Sequence, residues 1–532
     1  MAGRKLPVGI QDFGKIRNDG FAYVDKTAYV WRLAHEGVPC FLSRPRRFGK
    51  SLLVSTMEAY FEGRRDLFEG LELGRLEGDG EGSWVKRPVF SLSFNGEVYA
   101  KRGGLEIKLE AMLRRWESAW GTAGTDLGYG DRFQNVLEYA HEKTGHRVAV
   151  LVDEYDKPLL EAMEDPATEE HNRALLKAFY SVLKDADKHL RLVFITGVTK
   201  FSKVSIFSDL NQLRDISLSE DYAGVCGITE AELEGTLHPE IEALGARRGM
   251  DVRGTLDALR ARYDGYCFHP DGPGEGAERI GRCVYNPYSL LMSLKERRLG
   301  SWWFETGTPT FLVRRIHDSG LDPRRLTDGT IYATESRLSD YRGDDPDPVP
   351  LMFQAGYLTI CSAEEPTGEY ALAVPNSEVE QGLLSFLLPA WAPGYSEARG
   401  TDVLSLRRCV DRGDTDGMRD ILAALFAGIP HTRADGPFES CFQAVLWLTF
   451  TLLGFYVSCE VHQAHGRVDV VVEAASHVFV MELKRDGTAA EALSQIGERG
   501  YAAPFAADRR QVHLIGASFD SGTRLLAEWE ER

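Results

Sequence analysis

Residues 44–51 read RPRRFGKS, preceded by the apolar run from Val38 to Leu42 and followed by the amphipathic stretch from Leu52 to Phe61. Strand, tight loop and helix in that order suit phosphate binding, because loop N–H groups surround the anion and the helix N-terminus adds partial positive charge. In the pattern GxxxxGK[ST], Gly49 lets the backbone approach the phosphates, Lys50 reaches the β- and γ-phosphates, and the Ser51 hydroxyl ligates Mg2+. Arg44 stands where the first glycine of that pattern belongs. A GKS triplet alone is weak evidence, and a second element strengthens it: the strand VAVLV, ending at Val152, runs into Asp153 and Glu154. Asp153 would hold Mg2+ through water and Glu154 would polarise an attacking water, against the plainer alternative of a solvated turn after a strand. A third strand, LVFITG, places Thr196 as a sensor of the γ-phosphate. Lys200, Lys203 and Arg214 follow as cations for a transition state, with a solvated surface role an equal alternative for each.

A second group of chemical residues lies near the C-terminus, with Asp469 in GRVDVVV and Glu482 and Lys484 in FVMELK. Phosphodiester hydrolysis needs clustered carboxylates to hold Mg2+ and a lysine to orient water and offset phosphate charge. Glu482 and Lys484 are two apart on a strand and so share a face, and a paired strand can bring Asp469 alongside. The alternative is an exposed hairpin with alternating polar residues. His462 and His465 beside Glu460 are read as surface histidines rather than as a metal cluster.

These residues require elements to hold them. At 532 residues the chain is too long for one core and is expected to divide into several domains. Residues 1–225 alternate apolar strands with helical stretches, the pattern of an α/β domain with a largely parallel sheet. Residues 226–330 read as a helical lid or adaptor, and residues 331–430 as a small mixed, winged-helix-like region with strand signals in LMFQAGYLTI and YALAVPN. Residues 431–532 form a separate α/β module with a helix from Phe438 to Leu453, strands VDVVVE and VFVMELK, a helix from Ala489 to Gly500, and the strand VHLIGASF. The expected class is therefore α/β multidomain.

No run approaches the about 18 to 20 apolar residues of a membrane span, and the N-terminus lacks a signal peptide's apolar core. A cytoplasmic protein without membrane partners is expected. Eight cysteines carry no CxxC pair, so neither a zinc ribbon nor a disulfide framework is expected. A net charge of −18 speaks against a broadly basic surface for nucleic acid, so any such contact must be local.

The sequence resembles the predicted AAA-ATPase family, which pairs an AAA-like, STAND-related P-loop domain with a C-terminal PD-(D/E)XK nuclease domain. The matching stretches include GIQDFGKIRNDGFAYVDKTAYVWRL, RPRRFGKSLL, VLVDEYDKPL, FITGVTKFSKVSIFSDLNQLRDI, YDGYCF, VYNPYSLL, WFETGTPTFL, FQAGYLTI and VPNSEV, in order along most of the chain. The resemblance implies a P-loop NTPase sandwich, a helical and winged-helix-like middle, and a restriction-endonuclease-like C-terminal domain. It accounts for Arg44, because RPRRFGK[ST] is the family's own form, and makes Arg46 and Arg47 anion contacts. It implies that YVDKT, residues 23–27, sits near the nucleotide, the alternative being that Asp25 caps a helix. Through ESCFQAVLWLTFTLLG, CEVHQAHGRVDVVVE, FVMELK, AEALSQIGERGY and VHLIGASFD it assigns Asp469, Glu482 and Lys484 to metal and catalytic positions, with Glu439 and Gln495 as accessories. ATP and Mg2+ are the implied cofactors and DNA or RNA the implied partner, with homo-oligomerisation left open. Two functions are implied: an ATP-regulated, Mg2+-dependent nuclease, as in defence against foreign nucleic acid, or a nucleotide-dependent switch whose C-terminal domain binds without cutting.

Overall fold

A computed structural model describes residues 4–80, 82–122, 124, 126–200, 207, 210, 212–274, 282–304, 310–339, 347–364, 367–391, 400–427, 438–463, 466–523 and 525–532. The side chains at 310–311, 400–404, 438–441, 460–463 and 466 are outside the described set. The chain gathers into two compact units, residues 1–306 with 329–379, and residues 307–328 with 380–532. The limit between residues 328 and 329 falls beside the expected division at 330, whereas no limit falls at 225 or 430. Composition registers a change of element type, whereas packing joins whichever elements bury a common apolar face.

In the first unit, β1 (Cys40–Ser43), β2 (Val89–Ser93), β3 (Val148–Asp153), β4 (Leu190–Gly197) and β5 (Arg214–Asp215) form a parallel sheet in the order β2-β3-β4-β1-β5. Every residue of β3 is buried, as a parallel sheet covered on both faces demands, which is why this segment reads as an unbroken apolar run. The register sets Leu42 beside Thr196 and Val152 beside Ile195. The carboxyl ends of β1, β3 and β4 therefore meet at one sheet edge, where ligands of open α/β sheets bind. The Lys50–Phe61 helix leaves that edge and buries Leu53, Val54, Met57 and Phe61 in a core shared with Phe13, Val30, Leu151 and Phe194. Each such side chain contributes about 1.5–3 kcal/mol through burial.

In YVDKT, Asp25 takes the capping role, while Tyr23 and Lys26 line a cavity that also touches Gly49, so the two expectations do not exclude one another. The Asp25 carboxylate accepts from Thr27 N at 2.9 Å, Thr27 Oγ1 at 2.6 Å and Glu72 N at 2.8 Å, tying together the starts of the Thr27–Glu36 and Glu72–Glu77 helices. A second core, with Leu233, Ile241, Leu259, Leu290 and Leu294, joins the helices Glu230–Arg248, Val252–Tyr263 and Pro287–Glu296. The first of these starts in a capping box between Thr229 and Glu232. The unit also holds the antiparallel pair β6 (Tyr266–Cys267) and β7 (Cys283–Val284). A three-stranded antiparallel sheet, β8 (Ile331–Thr334), β9 (Thr359–Glu364) and β10 (Glu369–Ala373), has the order β8-β10-β9.

The second unit is built on β11 (Tyr456–Gln463), β12 (Gly466–Glu473), β13 (His477–Arg485), β14 (Gln511–Phe519) and β15 (Leu526–Glu531), in sequential order. Its strands pair antiparallel except β13 with β14, which run parallel and are connected through the Ala489–Arg499 helix. Among the described residues no helix is long and apolar enough to cross a membrane.

Arg44 explains how the phosphate loop is held. Its guanidinium is almost fully buried and donates to Ser43 O at 2.9 Å, Ser217 O at 2.7 Å and Tyr222 O at 3.0 Å, lying 4.0 Å above the Phe268 ring. Burial lowers its pKa to about 10, still far above neutrality. A donor-only, planar cation is suited to three converging carbonyls, which glycine would leave without these partners. Arg44→Gly, although it restores the commoner loop pattern, is predicted to lower the stability of this unit by about 2–4 kcal/mol. A denaturation midpoint unchanged from wild type would refute this role.

Candidate functional site

Gly49 ends the phosphate loop with φ at 94°, and the helix that starts at Lys50 has no side-chain cap. Its first-turn N–H groups are therefore not taken by a capping side chain. Arg47 takes φ 68° and Glu154 takes φ 54°, left-handed values that cost a side-chain-bearing residue about 1–2 kcal/mol. Both strained residues line one cleft of about 710 Å3, together with Gln11, Arg46, Gly49, Lys50, Ser51, Asn95, Asp156, Lys157 and Tyr288. The Arg47 guanidinium lies 3.8 Å above the Tyr288 ring.

Lys50 is buried, and its ammonium donates to Arg44 O at 2.8 Å and Pro45 O at 3.0 Å. Burial lowers its pKa, with Asp153 and Asp156 opposing that shift. Ser51 is hydrogen-bonded to the Asp153 carboxylate, whose pKa burial raises while Ser51 and Lys50 pull it down. Asp153 Oδ1 is buried without a hydrogen-bond partner. Such an oxygen beside a serine hydroxyl is a donor pair fit for a hard cation, while the Lys50 charge nearby suits the anionic phosphates such a cation would accompany. The Glu154 carboxyl is also raised by burial and by Asp153.

Asp156 escaped the sequence reading. Its Oδ2 accepts from Val198 N at 3.0 Å, Thr199 N at 2.6 Å and Thr199 Oγ1 at 2.7 Å, locking the end of β3 to the loop after β4. The only sign of it was its place in DEYD, three residues after Asp153. Lys157, also overlooked, brings a cation to the cleft and donates to Asn95 Oδ1 at 2.8 Å. Beside Gly49 and Leu52 a smaller, mainly apolar cavity of about 90 Å3 is lined by Pro7, Tyr23, Lys26, Phe48, Cys226 and Ile228.

Other expected residues lie elsewhere. Thr196 is fully buried and its hydroxyl donates to Leu42 O at 2.7 Å, so its polar atom links β4 to β1 instead of lining the cleft. Lys200 is buried in an ion pair with Asp215, while its N–H donates to Gln354 Oε1 at 2.8 Å. Arg214 pairs with Glu36 at 2.9 Å. Lys203 lies outside the described residues.

In the second unit β12 and β13 pair Val470 with Met481, which brings Asp469 and Glu482, the next residue outward on each strand, alongside one another. Asp469 is buried, its Oδ2 accepting from Leu483 N at 2.8 Å and its Oδ1 from Gln443 Nε2 at 3.3 Å. Glu482 is buried too, and its Oε1 accepts from Lys484 Nζ at 3.2 Å and from Gln495 Nε2. Lys484 Nζ also donates to Gln495 Oε1. Glu482 Oε2 has no hydrogen-bond partner, and burial, helped by the Asp469 charge, raises its carboxyl to about 7. The geometry thus brings together Asp469, Glu482, Lys484 and Gln495, and adds Gln443, which sequence reasoning missed. The side chains of Glu439, Glu460, His462 and the whole of His465 lie outside the described residues. Among the described residues no group of three or more His, Cys, Asp or Glu side chains forms a ready metal cluster. The donor set here is two carboxylates, one bearing a buried free oxygen, so it fits a divalent ion completed by water and phosphate oxygens.

Comparison with known proteins covers the regions that hold both candidate sites. Residues 7–207 match the model of the predicted AAA-ATPase family, and residues 437–529 that of the PD-(D/E)XK nuclease superfamily. The chain is 37% identical over 535 residues to an uncharacterized protein in the vnfD 5'region of Azotobacter chroococcum mcd 1, with 98% of each chain covered. With an ATPase-type cleft at one parallel-sheet edge and a carboxylate–lysine centre on a separate sheet, the chain belongs to the predicted AAA-ATPase family and carries a PD-(D/E)XK nuclease superfamily domain at its C-terminus.

Proposed function

We propose that this protein binds and hydrolyses ATP at the first unit and uses the second as a Mg2+-dependent nuclease on DNA or RNA, in cytoplasmic defence against foreign nucleic acid. The observation that carries the nuclease reading is the pair of buried carboxylates Asp469 and Glu482 beside half-buried Lys484 and Gln495, with Glu482 Oε2 left without a hydrogen-bond partner. Burying two carboxylates side by side is costly unless a cation or proton compensates them, so the cluster is better explained by chemistry than by stability.

In the first unit Ser51 and Asp153 would hold Mg2+, which offsets charge on the β- and γ-phosphates when bound. Lys50 would exchange its two loop carbonyls for phosphate oxygens, and Arg46, Arg47 and Lys157 would add positive charge around the anion. The small apolar cavity beside Gly49 would take the base. Glu154 would accept the proton of the attacking water, a task that its raised carboxyl pKa favours. In the second unit Asp469 and Glu482 would hold Mg2+, which polarises the scissile phosphate. Lys484, held by Gln495, would orient the water.

The Lys484–Glu482 ion pair favours a second reading, in which the C-terminal domain binds nucleic acid without cutting and the chain is a nucleotide-dependent switch. Cleavage assays on single- and double-stranded DNA and RNA, with Mg2+ or Mn2+ and with or without ATP, separate the two. Under the nuclease reading Asp469→Ala and Lys484→Ala each lower cleavage by about a hundredfold or more while the fold persists. No cleavage of any substrate by wild type would leave the switch.

Lys50→Ala is expected to weaken Mg-ATP binding by about ten- to a hundredfold, measured by titration calorimetry. Unchanged affinity would remove the phosphate loop from the proposal. Metal affinity at the second centre should depend on pH with a definite sign. Glu482 must lose a proton to ligate, and its raised carboxyl titrates at about 7, so Mn2+ binding strengthens as pH rises through neutrality and releases a proton. Titration in buffers of different ionisation enthalpy measures that proton, and an affinity flat from about pH 6 to about pH 8 contradicts the assignment.

A further inference from the structure

The carboxylate centre is held in part by a residue far upstream of the matched nuclease segment. Gln443, fully buried on the Phe438–Leu452 helix, donates from Nε2 to Asp469 Oδ1 at 3.3 Å and accepts at Oε1 from Arg324 Nη1 at 3.1 Å. Arg324 lies more than a hundred residues upstream, in the Pro323–Leu326 turn, and residues 307–328 belong to the same compact unit as the C-terminal sheet. The turn is itself well anchored. Asp322 accepts from Arg324 N at 3.0 Å, and both its carboxylate oxygens take the guanidinium, Oδ1 from Nε at 3.0 Å and Oδ2 from Nε at 2.9 Å.

A glutamine amide has one accepting and one donating end, so its orientation is a choice that its neighbours make. Arginine only donates, and it therefore fixes Oε1 toward itself. Nε2 is then turned toward Asp469, where a donor stabilises the ionised carboxylate and holds its Oδ1 in place. Without Arg324 the amide is free to reverse, and its oxygen would then face a carboxylate oxygen.

We propose that Arg324 is a positioning residue for the C-terminal centre, acting through the Gln443 amide to keep Asp469 aimed for a divalent cation. This inference rests on the nuclease-type metal site proposed above and extends it to a segment outside the matched window of residues 437–529. The Asp322–Arg324 pair supplies the rigidity and Gln443 supplies the polarity.

The test is Mn2+ binding to the full chain by titration calorimetry, with Asp469→Ala marking which heat belongs to this centre. Arg324→Ala is expected to weaken the Asp469-dependent site by about tenfold and to lower the metal requirement's apparent affinity in cleavage more than the rate at saturating Mn2+. Gln443→Leu, which removes the amide between Arg324 and Asp469, is expected to weaken the same site to a similar degree, and Arg324→Lys to restore part of the affinity. Far-UV circular dichroism and thermal midpoints of each variant separate misfolding from mispositioning. An Asp469-dependent site whose affinity is untouched by Arg324→Ala and Gln443→Leu, in folded proteins, overturns this inference alone. Absence of any Asp469-dependent Mn2+ site in wild type overturns the metal-centre reading and this one with it.

Discussion

Two cations buried against backbone carbonyls at the end of β1 are the constraint on which the first unit is organised. Arg44 gathers the carbonyls of residues 43, 217 and 222, and Lys50 closes the loop back on residues 44 and 45. Neither has a carboxylate hydrogen-bonded to it there, so each charge is compensated by oriented peptide dipoles, with Asp153 and Asp156 nearby for Lys50. Desolvation makes such placements costly, and a cation so held gains from meeting an anion. The loop is thereby shaped before a phosphate arrives, and Lys50 is stored within reach of the cleft.

The carboxylates follow the same logic with opposite sign. Asp153 and Glu482 each keep one buried oxygen without a hydrogen-bond partner while the remaining oxygen, or the rest of the group, is held by neighbours. Burial raises both pKa values, and the Glu482 carboxyl, beside Asp469, reaches about 7. In each unit a lysine sits near enough to temper that shift without abolishing it. The two sites thus use one arrangement, buried carboxylate plus lysine, on unrelated sheets.

Rigidity around these groups comes from short-range hydrogen bonding rather than from the apolar core alone. Asp156 clamps the end of β3 to the backbone after β4, and Asp25 clamps two helix starts beneath the loop. Gln495 bridges Glu482 and Lys484, while Asp322, Arg324 and Gln443 support Asp469 from the other side. Each clamp joins residues whose positions the core has only approximately set, and fixes them at hydrogen-bond distance.

The parallel strands, the phosphate loop and the Asp469, Glu482, Lys484 set were all legible in the chain, because local order encodes them. An apolar run doubles as a buried strand, GKS lies in the loop and first turn between one strand and one helix, and the spacing of two in FVMELK puts both charged groups on one face. The same reasoning took Thr196 for a sensor of the γ-phosphate, and left Asp25 between a nucleotide contact and a cap. Those alternatives differ only in which distant carbonyl or amide each side chain meets. The resemblance accounted for Arg44 as the family's own form, and Ser217, Tyr222 and Phe268 around it supply the physical reason. Arg324 carried no sign at all, since its partner Gln443 is 119 residues away. The sequence by itself determined which elements form and which residue types sit at their ends. Only the tertiary structure decided which polar atoms meet, because long-range contacts depend on how helices and sheets pack, and packing has no signature in the spacing of neighbouring residues.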